Sequence, residues 1–127
     1  VTAFRWVELD VVFAVHDRQI AEHGGLDGVR DLGALESALA RPRNAAAYGE
    51  PDAGDLAAAY AFGLARGHAF MDGNKRTTWV TARLFLADNG LRLRVAASEA
   101  VRMVEGLAAG TVDEARFAGW IRLGLAG

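Results

Sequence analysis

The sequence predicts an all-α fold, a compact single-domain bundle of about six helices with room for one short β element. Apolar residues recur mainly at spacings of three, four and seven, which line up on one face of a helix. The chain is rich in alanine, the strongest helix former. Glycines, prolines and an Asn-Gly pair punctuate the periodic segments where helices would end. The 127 residues fit one domain, 1–127, large enough to bury a single core.

In residues 7–23, Leu9, Val12, Phe13 and Ile20 form the first stripe. His16 falls on it and reads as a hydrogen-bonded core histidine rather than a ligand. Gly24, Gly25 and Gly28 stop that helix. Asp31 caps a short second helix carrying Leu32, Leu35 and Leu39, which Pro42 should end near Arg41. Residues 43–54, with Gly49 and Pro51, then read as a loop. Asp52 or Asp55 opens a third helix, whose Leu56, Ala59, Tyr60, Gly63, Leu64 and Gly67 let a neighbour approach closely.

Residues 77–90 follow, with Trp79, Val80, Ala82, Leu84, Phe85 and Leu86 spread around most of the circumference before Asn89-Gly90. A helix apolar nearly all round is buried among others, so this one is expected to be central. Leu91, Leu93 and Val95 alternate with Arg92 and Arg94 as an extended segment would. Ser98 could cap a helix bearing Val101, Val104 and Leu107 that ends at Gly110. Thr111 and Glu114 have capping-box spacing ahead of Phe117, Ala118, Ile121 and Leu125.

A net charge of −2 argues against direct binding of a nucleic-acid backbone, which rests on a dense field of Lys and Arg. No cysteine is present, so disulfides and thiolate metal sites are excluded. No apolar run reaches the roughly 18 residues a membrane span needs, and a cytoplasmic location is expected.

Chemistry concentrates in residues 68–77, His-Ala-Phe-Met-Asp-Gly-Asn-Lys-Arg-Thr. A loop through Asp72, Gly73 and Asn74 into a helix presents unpaired N–H groups and the positive helix end, a site for phosphate. Lys75 and Arg76 add charge there, and Gly73 permits close backbone approach or a positive φ. On these grounds alone a solvated basic helix start is an equal alternative. His68, able to carry a proton near neutral pH, and Asp72, able to hold a Mg²⁺ that phosphates need, favour the anion cradle. The two following cations argue against a bare transition-metal pair, and Phe70 reads as the anchor of the loop.

The nine residues from His68 to Arg76 match the signature of the Fic/Doc superfamily, His-x-Phe-x-Asp/Glu-Gly-Asn-Gly/Lys-Arg, at every fixed position. His16-Asp17, Gly24-Gly25-Leu26, Arg30-Asp31, Leu35-Glu36-Ser37-Ala38 and Leu84-Phe85-Leu86 through Asn89-Gly90 resemble its Doc branch. The resemblance implies the helical Fic/Doc fold and a nucleotide-dependent transferase acting on a protein hydroxyl. It implies that His68 is the general base and that Asp72 holds Mg²⁺ on ATP. It also implies that Gly73, Asn74, Lys75 and Arg76 orient and neutralise the phosphates.

Typical Fic enzymes have glycine where this chain has Lys75 and transfer AMP. The lysine accompanies terminal phosphoryl transfer in Doc, to a threonine of elongation factor Tu, which stops translation. Doc itself has Ala where Gly73 stands, so this loop is intermediate. Asp27 stands where the family often has proline, a change expected to alter only turn stiffness.

The family's inhibitory pattern needs Ser or Thr four residues before a Glu followed by Gly or Asn. Glu105 is the one such Glu, and Val101 precedes it. Control is therefore expected from a separate Phd-like antitoxin that folds on binding. The alternatives are an AMP transferase and a catalytically silent binding module, against which the intact His68, Asp72, Asn74 and Arg76 speak.

Overall fold

The computed structural model describes residues 3–126. In chain order its elements are α1 (Leu9–His23), α2 (Leu32–Tyr48), α3 (Ala53–Gly67), α4 (Asn74–Asp88), β1 (Arg92–Leu93), α5 (Ala97–Ala109), α6 (Glu114–Gly124) and β2 (Leu125–Ala126). The predominantly helical architecture and the short β element agree with the predicted class. No helix among the described residues is long and apolar enough to cross a membrane.

α3 is the hub, packed against α2, α4, α5 and α6. Its start is a full capping box: Asp52 accepts from the Asp55 N–H at 2.8 Å and Asp55 accepts from the Asp52 N–H at 3.1 Å. Gly63 faces Ala38 of α2 so closely that a Cβ there would stand 2.9 Å from the Ala38 Cα. α4 buries Thr77, Thr78, Thr81, Ala82, Phe85 and Leu86, while Trp79, Val80 and Leu84 are half-buried. The expected buried helix is thus present, but α3 is the more enclosed of the two, because its alanines let four neighbours close around it. Phe85 meets Tyr60, Phe4 and Trp6 at ring-centroid distances of 5.2, 6.1 and 6.1 Å, which ties the N-terminal segment to the core.

Several local expectations give way to tertiary structure. α2 does not end near Arg41 but runs through Pro42 to Tyr48, so much of the expected loop 43–54 is helix. An interior proline forfeits one hydrogen bond and costs about 3 kcal/mol. Here Pro42 is buried, and the residues on either side anchor the helix by ion pairs, Arg41 to Glu114 and Arg43 to Glu8. α5 starts at Ala97 with no side-chain cap, so Ser98 lies inside its first turn.

The Thr111–Glu114 capping box does not form. Asp113 caps α6 by accepting from the Arg116 N–H at 2.7 Å. Thr111 belongs to the end of α5, where its N–H, like those of Gly110 and Val112, donates to the Gly106 carbonyl. Leu125 leaves the α6 stripe to pair in β2, antiparallel to β1, with Leu93 opposite Leu125 and Arg92 opposite Ala126.

Candidate active site

The motif begins where α3 ends. His68 is the C-cap of that helix at φ 46°, ψ 47°, the one non-glycine residue with positive φ among those described. Such a conformation costs roughly 1–2 kcal/mol outside glycine, and persists where the surroundings impose it. Here residues 28–31 impose it. Arg30 Nε donates to the His68 carbonyl at 3.0 Å, and the N–H groups of Arg30 and Asp31 donate to the Ala69 carbonyl at 2.7 and 3.0 Å. The Met71 N–H donates to the Gly28 carbonyl at 3.0 Å, and Val29 and Phe70 form an isolated antiparallel bridge. The strained turn leaves the His68 side chain exposed.

Phe70 is buried and anchors the loop as expected, its ring stacked on that of His16 at 3.8 Å and 9°. His16 is itself a buried core residue, with Nε2 2.8 Å from the Asp72 carbonyl oxygen. One carboxylate oxygen of Asp72, Oδ2, accepts from the Leu26 N–H at 2.6 Å. The other oxygen has no hydrogen-bond partner among the described residues and is free for a cation. Asn74 clips the loop shut: its Oδ1 accepts from the Phe70 N–H and its Nδ2 donates to the Phe70 carbonyl, both at 3.0 Å.

Gly73 is the N-cap of α4 at φ 77°, and no side chain caps that helix. α2, α3 and α6, by contrast, are each capped by an aspartate. The first N–H groups of α4 therefore remain open where the positive end of the helix dipole emerges. Lys75 and Arg76, both exposed, stand in its first turn.

All six predicted site residues, His68, Asp72, Gly73, Asn74, Lys75 and Arg76, line one cleft of about 620 Å³. Its far wall is α5, through Ala97, Ala100, Val101, Val104 and Glu105, with Trp79 of α4 and Ala65 of α3 completing it. One side is thus cationic and the other largely apolar. A carboxylate oxygen for a hard cation beside open N–H groups, an ammonium and a guanidinium is a donor set that fits Mg²⁺ and a polyphosphate. The apolar wall suits the rest of a nucleotide.

Sequence reasoning did not find Arg30 as a holder of His68, the Leu26 N–H on Asp72, or the α5 wall. The spacing of Gly24, Gly25 and Gly28 was the available signal for a loop folding back on the motif. A Cβ at Gly25 would stand 3.1 Å from the Asp72 Cβ, so that glycine is the seat of the site's carboxylate as well as part of a helix stop.

Comparison with known proteins shows the family. The chain is 34% identical over 119 residues to the "Protein kinase doc" of Escherichia phage P1, covering 93% of this chain and 94% of that protein. It is 51% identical over 73 residues to the "Toxin Doc" of Mycolicibacterium smegmatis, 55% of each chain. The Fic/DOC family pattern matches residues 6–86, a span that holds the motif, the loop folded over it and helices α1 to α3 with nearly all of α4. This chain belongs to the Fic/DOC family, and both relatives place it on the Doc side.

Proposed function

We propose that the protein is a Doc-like toxin that transfers the terminal phosphoryl group of ATP to a hydroxyl of a protein, a threonine of elongation factor Tu. The observation that carries this is the convergence of the exposed His68 imidazole, the half-free Asp72 carboxylate, two cations and the uncapped start of α4 on one cleft. A relative that aligns over nearly the whole chain is named as a protein kinase, which supports the same reading.

ATP supplies the phosphoryl group, and a bound Mg²⁺ would supply neutralisation of charge on its phosphates. His68 takes the proton from the target hydroxyl as its oxygen bonds to the terminal phosphorus and the bond to ADP breaks. Asp72 would hold that metal, while Lys75, Arg76 and the open N–H groups of α4 balance negative charge on the phosphoryl oxygens. Asn74, with its side chain engaged by Phe70, acts by fixing the curve of the loop and through its own N–H. Gly73 supplies the left-handed turn, and it is packed from behind by Ile20 and His16. A separate antitoxin that folds on binding is the regulatory partner, since the sequence lacks the inhibitory pattern.

Gly73, shared with AMP transferases, favours the second reading, AMP transfer to the same class of hydroxyl. Incubation with Mg-ATP and elongation factor Tu, followed by the intact mass of the target, separates the readings. A phosphoryl increment supports the kinase, and an adenylyl increment replaces it with the transferase. No increment on this or other candidate targets leaves a silent binding module. His68→Ala is expected to abolish transfer with the fold intact; cells expressing it that stay growth-arrested would remove His68 from the role of base.

A further inference from the structure

His16, Asp17 and Asp27 lie outside the cleft, and each offers one ligand atom within 4.8 Å of the others. His16 is 2% exposed and held flat against Phe70. Its Nε2 faces the Asp72 carbonyl oxygen at 2.8 Å. A carbonyl oxygen only accepts, so in the neutral ring Nε2 carries the proton and Nδ1 carries the lone pair. No hydrogen bond among the described residues ends on Nδ1. A buried imidazole fixed through one nitrogen by a backbone carbonyl, with the other nitrogen open, is the usual arrangement of a metal-ligating histidine.

The two carboxylates point to the same conclusion. Asp17 and Asp27 are exposed, and no Lys or Arg among the described residues forms an ion pair with either. Asp27 Oδ1 accepts from the Gly28 N–H at 2.8 Å, which orients the group and leaves its second oxygen free.

We propose that these three residues form a cation site for a borderline divalent metal such as Zn²⁺, with water completing its shell. One imidazole and two carboxylates suit Zn²⁺ better than Ca²⁺, which takes six to eight oxygens, or Cu⁺, which prefers sulfur. Donors about 2.0–2.1 Å from a tetrahedral ion stand roughly 3.3 Å apart, so the set closes by roughly 1.5 Å on binding. Asp27 can make that movement because it lies between Gly25 and Gly28, at φ 117° and 110°. An ion here clamps residues 24–28 to α1. Leu26 and His16 both hold Asp72, so the clamp fixes the carboxylate of the cleft.

Equilibrium dialysis of the whole chain against Zn²⁺ in excess Mg²⁺, followed by metal analysis, tests the site. The wild-type chain and Asp72→Asn are expected to retain one ion per chain, and Asp17→Asn and Asp27→Asn to bind at least ~tenfold more weakly. Both of the latter positions are exposed, so the variants keep the fold. Co²⁺ gives a second readout, a visible ligand-field spectrum that Asp27→Asn lacks. Absence of binding by the wild-type chain, unchanged binding by Asp17→Asn and Asp27→Asn, or loss of the ion in Asp72→Asn would overturn the assignment.

Discussion

Tyr60→Phe isolates a single hydrogen bond on which the docking of the N-terminal segment depends. Tyr60 is 0% exposed and Val7 is 2% exposed, and the phenol oxygen accepts from the Val7 N–H at 2.8 Å. The phenylalanine ring keeps its place against Phe85, so the substitution removes one oxygen and opens no cavity of consequence. It leaves a buried N–H with no partner, a loss of about 1–3 kcal/mol. Because neither residue is open to water, about 2 kcal/mol is expected. For a chain of this length that lowers Tm by roughly 6–10 °C. Urea denaturation should show a lower midpoint with an unchanged slope. A midpoint unchanged from wild type would mean that the Val7 N–H is hydrated and the segment is not docked. A second arm uses pH. Burial pushes the Tyr60 phenol up from its ordinary range, against smaller lowering effects of the Val7 N–H and Arg43. The folded state therefore holds the proton longer than the unfolded one. The resulting stability is complete below pH ~10 and is lost as pH rises through the folded value, so the wild type falls more steeply there than Tyr60→Phe.

Gly63→Ala should destabilise the chain by roughly 1–2 kcal/mol, because overpacking against the α2 backbone outweighs the gain in helix propensity. Gly67→Ala, whose Cβ would meet Ala34 at an ordinary 3.7 Å, is its control in the same thermal melt. Asp55 is raised by burial, but the Arg122 and Asp52 hydrogen bonds and the Arg122 charge outweigh this and hold it below the usual carboxylate range. Its contribution is therefore present above pH ~4 and lost as pH falls through the folded value, so Asp55→Asn should flatten the acid limb of stability against pH. The pair with Arg122 is largely exposed, which limits the effect at neutral pH to about 1 kcal/mol. Arg30→Met removes the donor on the His68 carbonyl, so steady-state kinetics should show kcat falling with KM for ATP nearly unchanged. An equal loss in both would place Arg30 on the nucleotide instead.

The sequence was most legible where an outcome depended on neighbours within one helical turn. The stripe of α1, the Gly24 stop and an aspartate opening α3 follow from local periodicity and capping chemistry, which act over three or four residues. Pro42 shows the limit. A rule about one residue predicted an ending, and the burial of Pro42 with the packing of α2 along α3 carried the helix on, helped at the surface by the Arg41–Glu114 and Arg43–Glu8 pairs. β1 was legible in the alternation of Leu91, Leu93 and Val95 with Arg92 and Arg94, but its partner β2 was not, since Leu93 and Leu125 lie 32 positions apart and two residues there carry no pattern of their own.

The cleft divides along this line too. Its cationic half was readable because its six predicted residues fall within the nine from His68 to Arg76, and α4 starts at Asn74 so that the motif itself is the helix end. What turns that string into a site is long-range: residues 24–31 hold His68 in a left-handed turn and aim Asp72, and α5 supplies the opposite wall. Gly25 joins the two levels. It is part of a local helix stop in sequence, yet its missing Cβ makes room for a carboxylate 47 residues further along. A substitution there should disturb Asp72 before it disturbs α1.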